Sequence, residues 1–321
     1  MLKKKPVLLL FKISLSLGLI LWITRGVDLG EVFTIIAKAD LPLLALAFSL
    51  FFLGYVITAF RWRTLIRAQG GDAPILYLVR SFMVALFFNN FLPSTVGGDL
   101  VRMYDSWRLG NTKTGAVAVV LIDRFLGVTV LLCFALVAFK LSPDISGQIP
   151  KLGLWISSAL IGAAIGCWLI FVTPVDRMES LSRRFHGLAG RTAQLFIKVL
   201  TAFQAYRGQQ RAVAGAFALS VLLQLNVVFH FALVAWALDI RVPIEAMFLI
   251  VPVAVFIMML PISINAIGVR EAIFVFLFSI YGVADEQSLA LAWVAYGFTL
   301  AQGVLGGAVF ALRRESMPAH R

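Results

Sequence analysis

The chain has 321 residues, 61% hydrophobic and 14% charged, with a formal net charge of +12 and a mean hydropathy of +0.94. Soluble domains carry roughly 25% charged and 45–50% apolar residues, so this composition describes a polytopic membrane protein and excludes a soluble globular one. In such a chain, cytoplasmic Lys and Arg account for the positive balance before any nucleic-acid partner does, and no polar stretch is long enough for a catalytic domain of typical size.

Lys3, Lys4 and Lys5 followed by the apolar stretch 7–24 imitate a secretory signal. The stretch is too long for a typical signal and no A-x-A site follows, so 7–24 is predicted to be an uncleaved first span. A bilayer needs roughly 17–25 apolar residues per helix. The runs 41–60, 115–139, 153–172 and 212–238 meet that length, as does 289–312, which is rich in Ala and Gly. Two further runs, 75–92 and 244–280, are interrupted by Leu-Pro pairs, small residues and charge.

Cytoplasmic flanks carry the excess of Lys and Arg, which decides how the interrupted runs sit. If 75–92 crossed fully, Arg102, Arg108 and Lys113 would lie outside, together with the cations between Arg177 and Arg211. If 75–110 instead enters from the cytoplasm, turns near 93–98 and returns, all of them are cytoplasmic. The external loops are then 25–40, 140–151, 239–245 and 281–288, holding five Lys/Arg against eight Asp/Glu. By the same logic 244–280 dips in from outside and returns there. The N- and C-termini are both expected in the cytoplasm of a cell inner-membrane protein.

The predicted fold is therefore all-α and polytopic: two inverted repeats, each with three spans and one re-entrant broken-helix hairpin. Residues 1–139 form the first repeat. Residues 140–211 are a connector holding the span 153–172, which counts in the second repeat, and a basic cytoplasmic segment. Residues 212–312 complete the second repeat and 313–321 are a cytoplasmic tail. Inverted repeats with broken helices meeting near the midplane are a recurrent transporter plan. In the basic segment, Phe196, Leu200 and Phe203 fall at helical spacing among Arg191, Lys198 and Arg207. That pattern fits an interfacial helix on an anionic leaflet over 177–211, or a solvated extension of the next span.

The chemistry concentrates at the two breaks. In NNFLPSTVGGDLVR (89–102), Pro93 lacks an N–H and Gly97 and Gly98 allow close approach. Ser94 or Thr95 would cap the returning helix, whose N-terminus favours an anion. Asp99 and Arg102 share one face of that helix; they read either as an anionic-headgroup site or as a structural pair. LPISINAIGVRE (260–271) repeats the design with Pro261, Ser263, Asn265 and Gly268, then Arg270 and Glu271. Adjacent helical residues diverge by about 100°, so Arg270 and Glu271 need separate partners. Asp123 and Arg124 lie well inside the third span. Asp123 has Arg102 or Arg270 within its options; Arg124 has Asp99, Glu271 or a lipid phosphate. A purely structural network of cross-repeat ion pairs is the competing account.

Asn89 and Asn90 have two readings, reaching the cavity or capping carbonyls. Lys12 is expected to snorkel. Gln224, Asn226 and His230 read as interhelical glue before a proton relay. Cys133 and Cys167 lie in apolar runs with no disulfide or metal spacing, and the sequence contains no Walker A motif and no G-x-S-x-G elbow. No cofactor is expected.

At NNFLPSTVGGDLVRMY, VLIDRFLG and LPISINAIGVREAIFVFL the chain resembles the lysylphosphatidylglycerol synthase transmembrane-region family of flippase-like proteins, over roughly 10–312. The resemblance implies translocation of a charged or glycosylated lipid between leaflets. In bifunctional members a soluble C-terminal domain aminoacylates phosphatidylglycerol. This sequence ends soon after its last span, so no such transferase is implied. The expected function is transport of a lipid with an anionic or glycosylated headgroup. Arg102, Arg124 and Arg270 would contact the headgroup; Asp99, Asp123 and Glu271 would hold those arginines or a cationic part of the headgroup. Asn90, Ser94, Thr95, Gly97, Gly98, Ser263, Asn265 and Gly268 complete the binding set. A homo-oligomer is left open. The alternatives are a non-transporting partner of a lipid- or glycan-modifying enzyme and, last, an intramembrane enzyme with Asp123 or Glu271 as base.

Overall fold

The computed structural model describes residues 4–91, 97–141, 147, 150–172, 197, 200–260 and 262–313, with the side chains of 4–11, 150 and 170–172 outside that description. These residues form an all-α, multi-spanning membrane bundle. Among the described residues, five helices are long and apolar enough to cross a bilayer: α3 (Leu41–Ala68), α6 (Lys113–Leu141), α7 (Pro150–Val172), α8 (Gln210–Ala237) and α11 (Asp285–Leu312). The first predicted span is helix α1 (Lys4–Thr24), although the described apolar part, Lys12–Thr24, is shorter than a span.

Helix α3 runs about two turns past its predicted end, so its basic last turns stay helical. Asp40 starts it: its carboxylate accepts the Leu43 N–H at 3.0 Å, and Pro42 occupies the first turn, where its missing donor costs nothing. The predicted loop 25–40 needs correction, since it contains helix α2 (Leu29–Ala37). Asp28 begins that helix by accepting the Gly30 N–H at 2.8 Å. These two acids mark helix starts.

Each interrupted run contains two helices: α4 (Ile75–Phe91) and α5 (Gly97–Arg108) in the first, α9 (Ile244–Met259) and α10 (Val269–Ser279) in the second. Tyr77, near the start of α4, and Asp105, near the end of α5, both receive hydrogen bonds from Arg313 Nη2, at 2.8 and 3.1 Å. The start of α4 and the end of α5 therefore lie at the same end of the bundle. Gln69 meets the Ala205 carbonyl there at 2.9 Å, and Asp72 is clasped by Arg63 and Arg67. Those two guanidiniums hold the Asp72 carboxyl well below the usual carboxylate range. At the opposite end the Asp40 N–H donates to the Ala237 carbonyl at 2.9 Å and the Asp28 N–H to Glu286 at 3.3 Å.

The packing is reciprocal. Helix α3 lies along α8, α4 packs on α11, and α9 packs on α6. Apolar side chains gain little by leaving lipid for protein, so close van der Waals approach by small residues supplies much of the adhesion. On α11, Gly303, Gly306 and Gly307 face α4; a Cβ at Gly306 would strike the Met83 carbonyl, and one at Gly307 would press on the Phe87 ring. Across α3 and α8, Gly54 leaves room for the Asn226 amide. His230 Nδ1 lies 2.9 Å from the Ala47 carbonyl oxygen, which fits the tautomer protonated at Nδ1. The His230 contact joins α8 to α3.

The interfacial-helix reading of 177–211 is corrected where the chain is described. Ala202, Phe203 and Tyr206 pack into a protein core with Trp62, Leu65 and Ile66, and the Tyr206 hydroxyl donates to the Leu65 carbonyl at 3.0 Å. Protein, not a lipid leaflet, covers that apolar face. The rest of the basic segment, residues 173–196, 198 and 199, and the tail 314–321 lie outside the described residues.

Candidate functional site

A charged cavity of about 310 Å³ lies where both halves of the chain meet. Helices α3, α4, α5 and α6 contribute from one half, α8 and α9 from the other. Three arginines and two aspartates line it: Arg61, Arg102, Arg124, Asp99 and Asp123, a formal sum of +1 (3 − 2).

Asp123 is its centre. Only 2% exposed, it lies between two guanidiniums, with Arg61 Nε 2.6 Å from Oδ1 and Arg102 Nη1 2.9 Å from Oδ2. Arg61 also donates to Ser220 Oγ on α8 at 3.0 Å, joining three helices. Gly127, one turn beyond Asp123, leaves space beside the Arg61 guanidinium. Arg102 stacks over Trp62, 4.9 Å from the ring centroid, with the Phe82 ring beyond. Among the described residues its Nε and Nη2 have no hydrogen-bond partner. The second pair, Arg124 to Asp99 at 3.0 Å, is more open, with side-chain exposures of 40% and 17%.

Local sequence explains the placement. Gly98 approaches the end of α4 so closely that a Cβ would collide with the Ala85 carbonyl and the Asn89 side chain. The Asn89 side-chain amide oxygen, Oδ1, accepts the Gly98 N–H at 2.8 Å, capping the start of α5. Asp99 and Arg102 thereby face α6 from the first turns of α5, and each pairs with α6 rather than with the other. Of the partners expected for Asp123 and Arg124, the structure brings together Arg102 with Asp123 and Asp99 with Arg124. Pro93, Ser94, Thr95 and Pro261 lie outside the described residues.

The second break stands apart from this cavity. Arg270 is buried, lies over the Tyr296 ring at 4.6 Å, and makes one long contact, from Nη2 to the Asn265 carbonyl at 3.5 Å. Glu271 turns back to accept the Gly268 N–H at 2.7 Å, so its carboxylate caps α10. Gly268 has φ +81°, and a Cβ there would meet the Ser16 carbonyl. Ser263 is buried. The breaks do touch: Asn265 donates its amide to the Asn90 carbonyl at 2.6 Å, and Asn90 donates its own to the Thr299 carbonyl at 2.8 Å.

Sequence reasoning missed Arg61. Helical geometry carried a signal: Arg61 and Arg63 are two residues apart, about 200° around the helix, so they face opposite ways. Arg63 and Arg67 share a face and hold Asp72; Arg61 must face elsewhere. The cluster of Asp105, Arg313, Tyr77 and Ser81 was also missed. Asp105 accepts from Ser81 Oγ and from both terminal nitrogens of Arg313, whose guanidinium lies over the Tyr77 ring.

A separate apolar cavity of about 510 Å³ lies between α6, α8 and α9, lined by residues such as Phe134, Val137, Phe217 and Phe248. On α6, Asp123, Gly127 and Leu131 line the charged cavity, while Phe134, Ala138 and Leu141 line the apolar one. This spacing of three and four residues is one continuous stripe. Among the described residues no three His, Cys, Asp or Glu are grouped to hold a metal.

The family model described as lysylphosphatidylglycerol synthase TM region matches residues 9–307. The chain is also 23% identical over 161 residues to UPF0104 membrane protein PH1989 of Pyrococcus horikoshii. That match covers 49% of this chain and 47% of the relative, so it spans about half the length of each.

Proposed function

The chain belongs to the lysylphosphatidylglycerol synthase transmembrane-region family, and from that premise we propose that it is a flippase-like carrier of a lipid with an anionic headgroup. Its family is that of a transmembrane region, and the protein is a membrane domain rather than an enzyme. The observation that carries the reading is Asp123 between Arg61 and Arg102, in a cavity built from both halves.

Buried ion pairs are poor stabilisers, because desolvation offsets most of their attraction. Intramembrane charges are by default functional candidates. Here two guanidiniums share one carboxylate, so the cavity holds a surplus positive charge and unused donors on Arg102. A phosphate offers the oxygens those donors lack and suits the planar guanidinium fork. Arg124, the most accessible of the three, would meet the headgroup first, and Asp99 and Asp123 would hold the arginines between loads. The apolar cavity along the same stripe of α6 gives an acyl chain room beside the headgroup.

The architecture we propose for this task is two inverted repeats, with α4–α5 and α9–α10 as re-entrant hairpins entering from opposite faces. Three facts support it. The α4–α5 pair begins and ends at one end of the bundle. The packing of α4 on α11 mirrors that of α9 on α6. The breaks meet through Asn265 and Asn90. The basic end, where α1 begins and α11 ends, would face the cytoplasm, in keeping with the positive-inside rule. Rocking of one half against the other would alternate access.

The test is leaflet transfer of dithionite-quenchable anionic lipids in proteoliposomes. Wild type should move them and Arg124→Ala should not, while inserting normally. No transfer by wild type of any anionic lipid, with or without a proton gradient, would turn the reading to a non-transporting partner of a lipid- or glycan-modifying enzyme.

A further inference from the structure

The two breaks treat their arginines differently. Arg61 and Arg102 share Asp123, and Arg124 has Asp99. Arg270 is 8% exposed and, among the described residues, has no carboxylate within ion-pair distance. Its sequence neighbour Glu271 is committed to the Gly268 N–H. Its Nη1 has no hydrogen-bond partner among the described residues, and Nη2 makes only the long contact to Asn265. The Tyr296 ring covers one face of the guanidinium and cannot satisfy in-plane N–H groups. A buried guanidinium with no ion-paired carboxylate and one long hydrogen bond is costly for a protein to hold.

Other polar groups around this break are also unfilled. Ser263 Oγ and Ser16 Oγ, in residues 3% and 7% exposed, have no partners among the described residues. Ser16 approaches through Gly268, where only a glycine fits against its carbonyl. The backbone is held in an unusual shape, with positive φ at Asn265, Ala266 and Gly268. An alanine in that region is strained, and such strain concentrates where a chain must be held for binding.

We infer that Arg270, with Ser263 beside the second break, forms a second phosphate-binding position, separate from the Arg61–Asp123–Arg102 cavity. The ligand class is a phosphate oxyanion, supplied by a phospholipid headgroup or as free inorganic phosphate. It would provide the direct ion pair that Glu271, turned to the Gly268 N–H, does not. The inference rests on the lipid-carrier reading only for its role: Met259, the last residue of α9, lines the first cavity, so the second position stands a short stretch of chain away, as the next stop on the same path.

The experiment is calorimetric titration of the purified full chain in detergent with dihexanoyl phosphatidylglycerol, and separately with inorganic phosphate. Wild type should bind two equivalents of the lipid. Arg270→Gln should bind one, and Arg102→Gln should bind one by losing the other site. Because Arg270→Gln removes a buried group, Arg270→Lys is the second variant; it keeps the charge, loses the fork, and should weaken one site about tenfold while leaving the other unchanged. Phosphate binding in the Arg102→Gln protein assigns the site to the free anion; binding of the lipid alone assigns it to the headgroup with its chains. Two unchanged sites in either folded Arg270 variant, or one site in wild type that survives Arg270→Lys, would overturn the inference. Two lipid sites without leaflet transfer would overturn the carrier reading and leave this one standing.

Discussion

Removing the Asp123 charge is the sharpest perturbation of this fold. In Asp123→Asn, two guanidiniums that are each less than a tenth exposed lose their shared counter-ion. Deleting one partner of a buried pair costs about 3–5 kcal/mol, because the charge left behind stays desolvated. Arg61→Gln is the control: it leaves Asp123 neutralised by Arg102 at 2.9 Å and forfeits a charged hydrogen bond, about 1.5–3 kcal/mol. The expected order is therefore Asp123→Asn well below Arg61→Gln in stability. The assay is reversible unfolding in mixed micelles titrated with SDS. A second expectation follows from the same geometry. With its resident carboxylate gone, the cavity should accept an anionic headgroup more readily. A lipid that binds only the folded state stabilises it by about 2.7 kcal/mol at a hundred times its Kd. An anionic lipid should then recover much of the Asp123→Asn loss, and a neutral sugar-headed lipid none. If Asp123→Asn is no worse than Arg61→Gln, or if both lipids rescue equally, the cavity is not governed by charge and the argument fails.

Three further outcomes are expected. Gly306→Ala should drive α11 from the Met83 carbonyl on α4 and cost about 1–3 kcal/mol by overpacking, read in the same micelle titration. Arg313→Gln should leave Asp105, whose side chain is 2% exposed, with Ser81 as its remaining partner; the loss is about 1–3 kcal/mol, and limited proteolysis should show the end of α5 cut first. In a Cys133→Ser, Cys167→Ser background, Asp72→Cys and Glu286→Cys should react with an impermeant maleimide from opposite sides of sealed vesicles. Labelling of both from one side would contradict the orientation proposed for the two ends.

Much of the fold was written in apolar run length. Five predicted spans recur as long helices, and α4 and α9 end at Phe91 and Met259, each immediately before a Leu-Pro pair of the sequence. Run length fails where burial inside protein replaces exposure to lipid. Helix α3 continues past residue 60 because its polar last turns find protein partners: Trp62 Nε1 donates to Ser106 Oγ at 3.0 Å, and Tyr206 holds the Leu65 carbonyl. Helix α2 escaped notice because it is nine residues long, too short for a span-length window, and is fixed by the Asp28 cap. The apolar residues of 200–206 look the same in sequence whether they meet lipid or Trp62, so only the tertiary contact decides.

The site was legible in its residue types and illegible in its pairing. A charge in an apolar run declares itself, because its cost in a bilayer must be met somehow. Which charge answers it depends on helices far apart in sequence, and Asp123 had two candidate arginines. The adjacency of Arg270 and Glu271 forced them to different partners, as it forced Asp123 and Arg124 apart. The structure resolves those divergences unlike one another: α6 sends Asp123 and Arg124 into one cavity, while α10 turns Glu271 to its own N-terminus and leaves Arg270, among the described residues, without a direct ion pair. Two breaks with matching letters thus carry arginines that differ in their resident counter-charge. In the carrier we propose, two equal stations would gain nothing by passing the load between them; a difference in resident counter-charge would give the anion a reason to leave the first for the second, and Asp123 would set the size of that difference.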